Sequence, residues 1–182
     1  MFPRILTPML AGVLSLLMGC AQPDGTGDDQ DMAHQGPTMN FHRIDSQLAT
    51  GGHFVNAGAA ELAKQGVTLV IDLRDEPPAD EQQQLAEAGI RWVNVPVVWA
   101  DPRKGDFEKF AQLMAANGDE NILVQCQANY RASAMTYLYR VTQQGVPESE
   151  ARKDLDAIWT PEGTWQDYIE DILAADEQEA GQ

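Results

Sequence analysis

The chain has 182 residues, with 12 Lys and Arg against 28 Asp and Glu, for a formal net charge of −16 at pH 7. Such a surface repels nucleic acid and anionic lipid and draws in no polyphosphorylated ligand from a distance, so any phosphate site must rely on local donors. The length suits one domain with a single core, and no internal repeat is visible. The first residues read "MFPRILTPMLAGVLSLLMGC": Arg4 precedes an uncharged apolar run from Ile5 to Met18. That run is too short for a permanent transmembrane helix and has the layout of a secretory signal.

The run ends in Leu17-Met18-Gly19-Cys20, which resembles the lipobox of bacterial lipoproteins. The resemblance implies cleavage before Cys20 and acylation of that residue. Ala21 follows, with no Asp to signal inner-membrane retention, so the implied address is the outer membrane of a Gram-negative bacterium, lipid-anchored and facing the periplasm. The plain alternative is an uncleaved apolar core helix. Removing residues 1–19 takes away Arg4 and no acid, leaving net −17. Residues 20–38 hold Gly, Pro, Asp and Gln and read as a flexible acidic tether, with a reach of roughly 25 Å for about eighteen residues. A domain is expected over 39–173 and a disordered tail over 174–182. If Cys20 carries lipid, Cys126 is the only thiol of the mature chain and has no internal disulfide partner. Such a thiol is either packed as a small inert hydrophobe or used.

"FHRIDSQLATGG" predicts two short extended pieces, Phe41–Ile44 and Gln47–Thr50, around an Asp-Ser turn. "NAGAAELAKQG" predicts a helix starting near Asn56 or Ala57 and stopped by Gly66. "VTLVIDL", from Val67 to Leu73, is a β-branched run of the kind found in strands buried on both faces of a parallel sheet. A helix ending at Gly89, a strand over Ile90–Val97 and a helix carrying Phe107, Phe110, Leu113 and Met114 follow. "NILVQ", Asn121–Gln125, is a third buried strand, and "ASAMTYLYRVTQQG" is a helix ending at Gly145. Two more helices close the chain. The expected fold is α/β: a mostly parallel central sheet of about four to five strands with helices on both faces. Ligands of such sheets sit at the carboxyl ends of the strands. Cys126 lies there.

"CQANYRAS", Cys126 to Ser133, therefore joins a strand to a helix. A tight turn there surrounds Cys126 with backbone N–H groups, and the helix N-terminus adds free donors and partial positive charge. This setting favours the thiolate, which is the nucleophile, and predicts a solvent-reachable, partly ionised Cys126. Arg131 offers two parallel donors to a tetrahedral oxyanion. Gln127, Ala128, Asn129 and Tyr130 would supply loop contacts to phosphate, and Ser133 would hydrogen-bond the sulfur or a leaving group.

These residues resemble the cysteine-dependent dual-specificity and tyrosine phosphatases, in particular their bacterial and plant-type atypical branch. "NFHRIDSQLATGGHF", "GVTLVIDLRDE", "GIRWVNVPV" and "GVPESEARKDLDAIWTPEGTWQDYI" resemble its successive segments, so the likeness covers most of residues 39–173. The resemblance implies hydrolysis of phosphotyrosine or another phosphomonoester through the Cys126 thiolate and Arg131. The substrate would be a phosphorylated protein or small phosphoester. The family reads His-Cys-x5-Arg-Ser/Thr, whereas here Gln125 replaces the His and four residues separate Cys126 from Arg131. Aligned without a gap, Ser133 keeps its place and Ala132 stands where the Arg should be. Asn129 best matches the loop Gly, because Asn tolerates a left-handed backbone. Cys-x4-Arg also resembles rhodanese-type sulfurtransferases, and a catalytically silent binding module is the third reading.

The resemblance implies an acid for the leaving oxygen from the loop after "WVNVPV". Asp101 is the first choice and Asp106 the second, although Asp106 is also the better cap for the helix at Phe107. Arg74 would buttress the loop or pair with Asp72 or Asp75. Trp99 and Tyr130 would wall an aromatic-sized pocket or merely pack at its rim. His34, His42 and His53 are scattered, no cluster has metal-ligand spacing, and neither metal nor cofactor is expected.

Overall fold

The computed structural model describes residues 36–55 and 57–181. Five strands, β1 (His42–Arg43), β2 (Leu48–Gly51), β3 (Leu69–Asp72), β4 (Arg91–Asn94) and β5 (Ile122–Gln125), form one sheet in the order β1-β2-β5-β3-β4. Only β1 and β2 run antiparallel. All residues of β2, β3 and β5 are buried, as their apolar sequences require. Gly51 and Asp72 both stand opposite Gln125. Three strands thus end at one level, and Cys126 is the first residue beyond it.

Helices cover both faces. Helices α1 (Gly58–Lys64) and α2 (Ala79–Glu87) place Leu62 and Leu85 against Val70 and Leu123. The other face carries α3 (Lys104–Ala116), α4 (Tyr130–Thr142), α5 (Glu148–Asp156) and α6 (Thr164–Ala180). There Phe110, Met135, Leu138 and Trp165 pack with Leu69, Ile71 and Val124. The alternation of strand side chains divides the core in this way. Helix α4 lies at the centre: Ala132, Ala134, Met135 and Leu138 are wholly buried, and it touches β2, β5, α3, α5 and α6. Its rigid start fixes the loop that follows β5.

The expected α/β architecture is the observed one; the strands other than β2 are shorter than expected by a residue or more, and the boundaries differ most in three places. Strand β4 stops at Asn94, short of Val97, because Pro96 has no N–H to donate. Residues 36–38, placed in the tether by composition, belong to the domain: Thr38 is buried and pairs with Phe54. At the other end α6 runs to Ala180, so residues 174–180 are helical where a disordered tail was expected. Ile169 and Ile172 are buried and Leu173 packs partly against the same core, which anchors the helix.

Candidate active site

The loop after β5 is held from behind. The Cys126 amide donates to Gly51 O (3.0 Å), which fixes where the loop leaves the sheet. The Gln127 carbonyl accepts from the His53 amide (2.9 Å) and lies 3.0 Å from His53 Nδ1. Asn40 Nδ2 donates to Ala128 O at 3.1 Å. Asn129 adopts the left-handed region (φ 69°, ψ 0°) expected of the residue in the glycine position, and caps α4. Its Nδ2 donates to Asn40 O (2.6 Å) and Thr50 Oγ1 (2.9 Å). With the carbonyls engaged, the amides of Gln127, Ala128, Tyr130, Arg131 and Ala132 have no acceptor among the described residues. They open the N-terminus of α4, a ready anion site.

Gly52 shows how closely the backing segment presses on the loop. A Cβ there would lie 2.7 Å from Gln127 O and 3.0 Å from Met39 O. Gly52→Ala should cost about 1–3 kcal/mol as an overpacked contact between backbones. The urea midpoint should fall, and any loop-dependent activity should fall with it.

A cavity of about 380 Å³ opens above the loop, lined by Trp99, Cys126, Gln127, Ala128, Tyr130 and Arg131. Cys126 is only 1% exposed and belongs to the apolar core of the α4 face. The expectation of a solvent-reachable thiol is therefore corrected: it is buried, and it meets the outside only at the cavity floor. Ala132 and Ala134, from the first turns of α4, belong to the same buried cluster.

Arg131 reaches the same cavity in spite of the short spacing. Its Nη1 donates to Val97 O (2.7 Å) and to Asp75 Oδ1 (3.0 Å), which uses both hydrogens of that nitrogen. Nε and Nη2 have no partner among the described residues, and they form the parallel pair suited to an oxyanion. The hydrogen bond from Arg131 holds the Asp75 carboxyl below its ordinary value. This bridge is thus present throughout the neutral range and is lost only as pH falls through that lowered value.

The other expected helpers lie elsewhere. Asp101 does not line the cavity. Its side chain is 61% exposed and pairs with Arg103, Oδ2 to Nη2 at 2.6 Å, a nearer partner supplied by the same turn. Asp106 caps α3, accepting from the Arg103 amide at 3.2 Å. Ser133 Oγ donates to Tyr130 O (3.1 Å) and accepts from Trp159 Nε1 (3.2 Å), so it serves the loop's aromatic flank and not the sulfur. Trp99 and Tyr130 do wall the cavity. His53 backs the loop, while His42 binds Asp154, which also accepts from Arg140. Cys20 and His34 lie outside the described residues.

Arg74 sits under the loop and pairs with Asp72 Oδ2 (2.6 Å), as one expectation had it, and with Glu81 Oε2 (2.5 Å) in place of Asp75. Burial works against its charge, but the hydrogen bonds that Arg74 donates to Asp72 and Glu81, with the charge of both carboxylates, outweigh burial and raise its pKa. Glu81 also accepts from Gln125 Nε2 (2.9 Å) and the Phe54 amide (3.1 Å). One carboxylate thus ties the residue before Cys126 to the segment that backs the residue after it. Sequence reasoning missed Glu81, which reads as an ordinary acid in the first turn of a helix. The one available signal was Arg74, a guanidinium ending a buried strand and needing more than one acceptor.

Residues 30–168 match the model of a family described as a DSP-PTPase phosphatase fused to NAD+ kinase. The chain belongs to this dual-specificity phosphatase family. Among solved structures, this DSP-PTPase chain is 30% identical to a DUF442 phosphatase candidate from Shewanella putrefaciens, with a TM-score of 0.65 over 78% of this chain and 92% of that one. The catalytic core of the PP-IP phosphatase SIW14 from S. cerevisiae superposes at TM-score 0.64 and 15% identity, covering 79% and 94% of the two chains. TpbA from P. aeruginosa, solved with pTyr, gives 0.54 and 22% over 66% and 74%. At those identities the last two share the fold alone. No curated protein sequence matches the chain. The DSP-PTPase membership makes the chain a phosphatase-like hydrolase with its loop at the expected strand end.

Proposed function

We propose that the chain hydrolyses phosphomonoesters, phosphotyrosine or a small phosphoester, through a Cys126 phosphoenzyme. The observation that supports this reading is that Cys126 and Arg131 line one cavity although only four residues separate them. In the first step the Cys126 thiolate attacks phosphorus and the ester P–O bond breaks. Loop amides and the free edge of Arg131 hold the phosphoryl oxygens. The leaving oxygen takes a proton from water, because no carboxylate lines the cavity. In the second step water attacks phosphorus, the P–S bond breaks and phosphate leaves, restoring the thiolate.

The test is hydrolysis of aryl phosphates of graded leaving-group acidity, run beside sulfur transfer from thiosulfate to cyanide. Turnover that vanishes in Cys126→Ser is the expected result, and turnover that survives it would sink the reading. Sulfur transfer without hydrolysis would favour the rhodanese-like alternative. Rates should fall steeply as leaving-group basicity rises, and Asp101→Asn should leave that slope unchanged. A flattened slope in wild type, lost in Asp101→Asn, would restore Asp101 as the acid.

We also infer that the chain is exported and lipid-anchored through Cys20, facing the periplasm; the apolar run and Leu-Met-Gly-Cys ending support this. Cys20→Ser should yield an unprocessed, unacylated form. A variant still cleaved and still partitioning into detergent would contradict the anchor.

A further inference from the structure

Three of the chain's four tryptophans join Tyr130 in one cluster of rings beside the Cys126 cavity: Trp99 and Trp159 touch Tyr130, and Trp165 touches both of those indoles. Trp99 and Tyr130 line that cavity and are 44% and 37% exposed, unusual for rings of this size in a well-packed domain. Each is backed by a second ring. Trp159 stacks on Tyr130 (4.9 Å between centroids, 20°), and Trp165 stacks on Trp99 (5.2 Å, 29°). Each backing indole is pinned by its N–H. Trp159 donates to Ser133 Oγ in the first turns of α4, and Trp165 donates to Trp99 O at 3.0 Å. Trp165 is itself buried, with Tyr168 edge-on behind it. The stretch from Trp159 to Trp165 therefore fastens the cavity wall from outside, at both of its rings.

The charge of the cavity points the same way. Among its lining residues Arg131 is the only cation, and the whole chain carries −16. One guanidinium and a ring of amides suit one phosphoryl group. A condensed or multiply phosphorylated ligand would bring further negative charge to a surface that repels it. Beside that single anion position stands a flat apolar surface held in place before any ligand arrives, so its ordering cost is already met.

Resting on the phosphomonoester reading, we propose that the site selects monophosphate esters of flat aromatic alcohols over aliphatic esters and condensed phosphates. Trp99 and Tyr130 are the surface that touches the leaving group. Trp159 and Trp165 are positioning residues that hold that surface, and Ser133 is the anchor of Trp159.

The experiment measures binding to the full-length Cys126→Ser variant, which needs no turnover, by titration calorimetry and tryptophan fluorescence. Phenyl phosphate should bind at least several-fold more tightly than glycerol phosphate and quench fluorescence, and pyrophosphate should bind no more tightly than phosphate. Adding Trp159→Leu should weaken phenyl phosphate by about 3- to 10-fold, the scale of an aromatic contact, while leaving inorganic phosphate unchanged. Trp159→Phe, which keeps a ring, should restore most of the difference and guards against a leucine variant that fails to fold. Equal affinities for phenyl and glycerol phosphate would overturn the proposal while sparing the phosphatase reading. So would a Trp159→Leu effect that falls equally on phosphate. No binding of any phosphate would overturn both.

Discussion

Arg131→Lys is expected to cut kcat/KM for an aryl phosphate by roughly 30- to 1,000-fold, on the order of 2–4 kcal/mol of transition-state stabilisation. The loss follows from what each nitrogen does. Nη1 is consumed by Val97 O and Asp75, and that fixes the plane of the guanidinium with its other edge free. A lysine ammonium keeps the charge but is a single point with no fork, so it must choose between the anchoring acceptors and the ligand. Loss of kcat with little change in fold, checked by near-UV circular dichroism, is the expected pattern. Ser133→Ala should cost much less against small phosphate esters, because its hydroxyl is committed to Tyr130 O and Trp159. Equal losses for the two variants would mean that Arg131 does not face the transferring phosphoryl group.

Arg74→Met should be the most damaging substitution for stability, by about 3–5 kcal/mol. Asp72 is wholly buried, Glu81 nearly so, and Arg74 is 3% exposed. Removing the one cation among three buried charges leaves two carboxylates in the core with no counter-charge. A drop in the urea midpoint at pH 7 measures it. Glu81→Gln should cost less, since Arg74 keeps Asp72, but it weakens the contacts to Gln125 and the Phe54 amide together. Its mark should be a larger fall in kcat than in stability. An Arg74→Met protein as stable as wild type would show that the cluster is not a closed charge network.

The parts of this molecule that are legible in its sequence are those governed by short-range rules. Val67–Leu73 and Asn121–Gln125 announce buried strands because β-branched apolar runs have few other uses. Gly66 and Gly89 end α1 and α2 with φ of 80° and 72°, as residues without a Cβ can. Asn129 stands in for a loop glycine for the same steric reason. Partner choice is another matter. Asp106 is legible as the cap of α3, but only the turn at Pro102 and Arg103 decides that Asp101 is paired outside the cavity. Glu81 and Trp159 lie 44 and 26 residues from their partners Gln125 and Ser133, and no local pattern carries such a pairing. Cys126 is legible as the first residue beyond a buried strand, but its burial is not, since exposure depends on packing between elements far apart in the chain.

The loop is gripped by the first residues of the domain. Met39 and Asn40 make hydrogen bonds to Gly52, His53, Ala128 and Asn129, only a few residues after Gly36. Proteolytic trimming that stops before Gly36 would leave this grip intact. Trimming five residues further would strip it away and spare nearly all of the sheet and its two cores. A protein shortened that far would pass as folded by far-UV circular dichroism while the loop after β5 had lost its backing. Whatever holds residues 36–40 in place, or pulls on them, also acts on the geometry around Cys126.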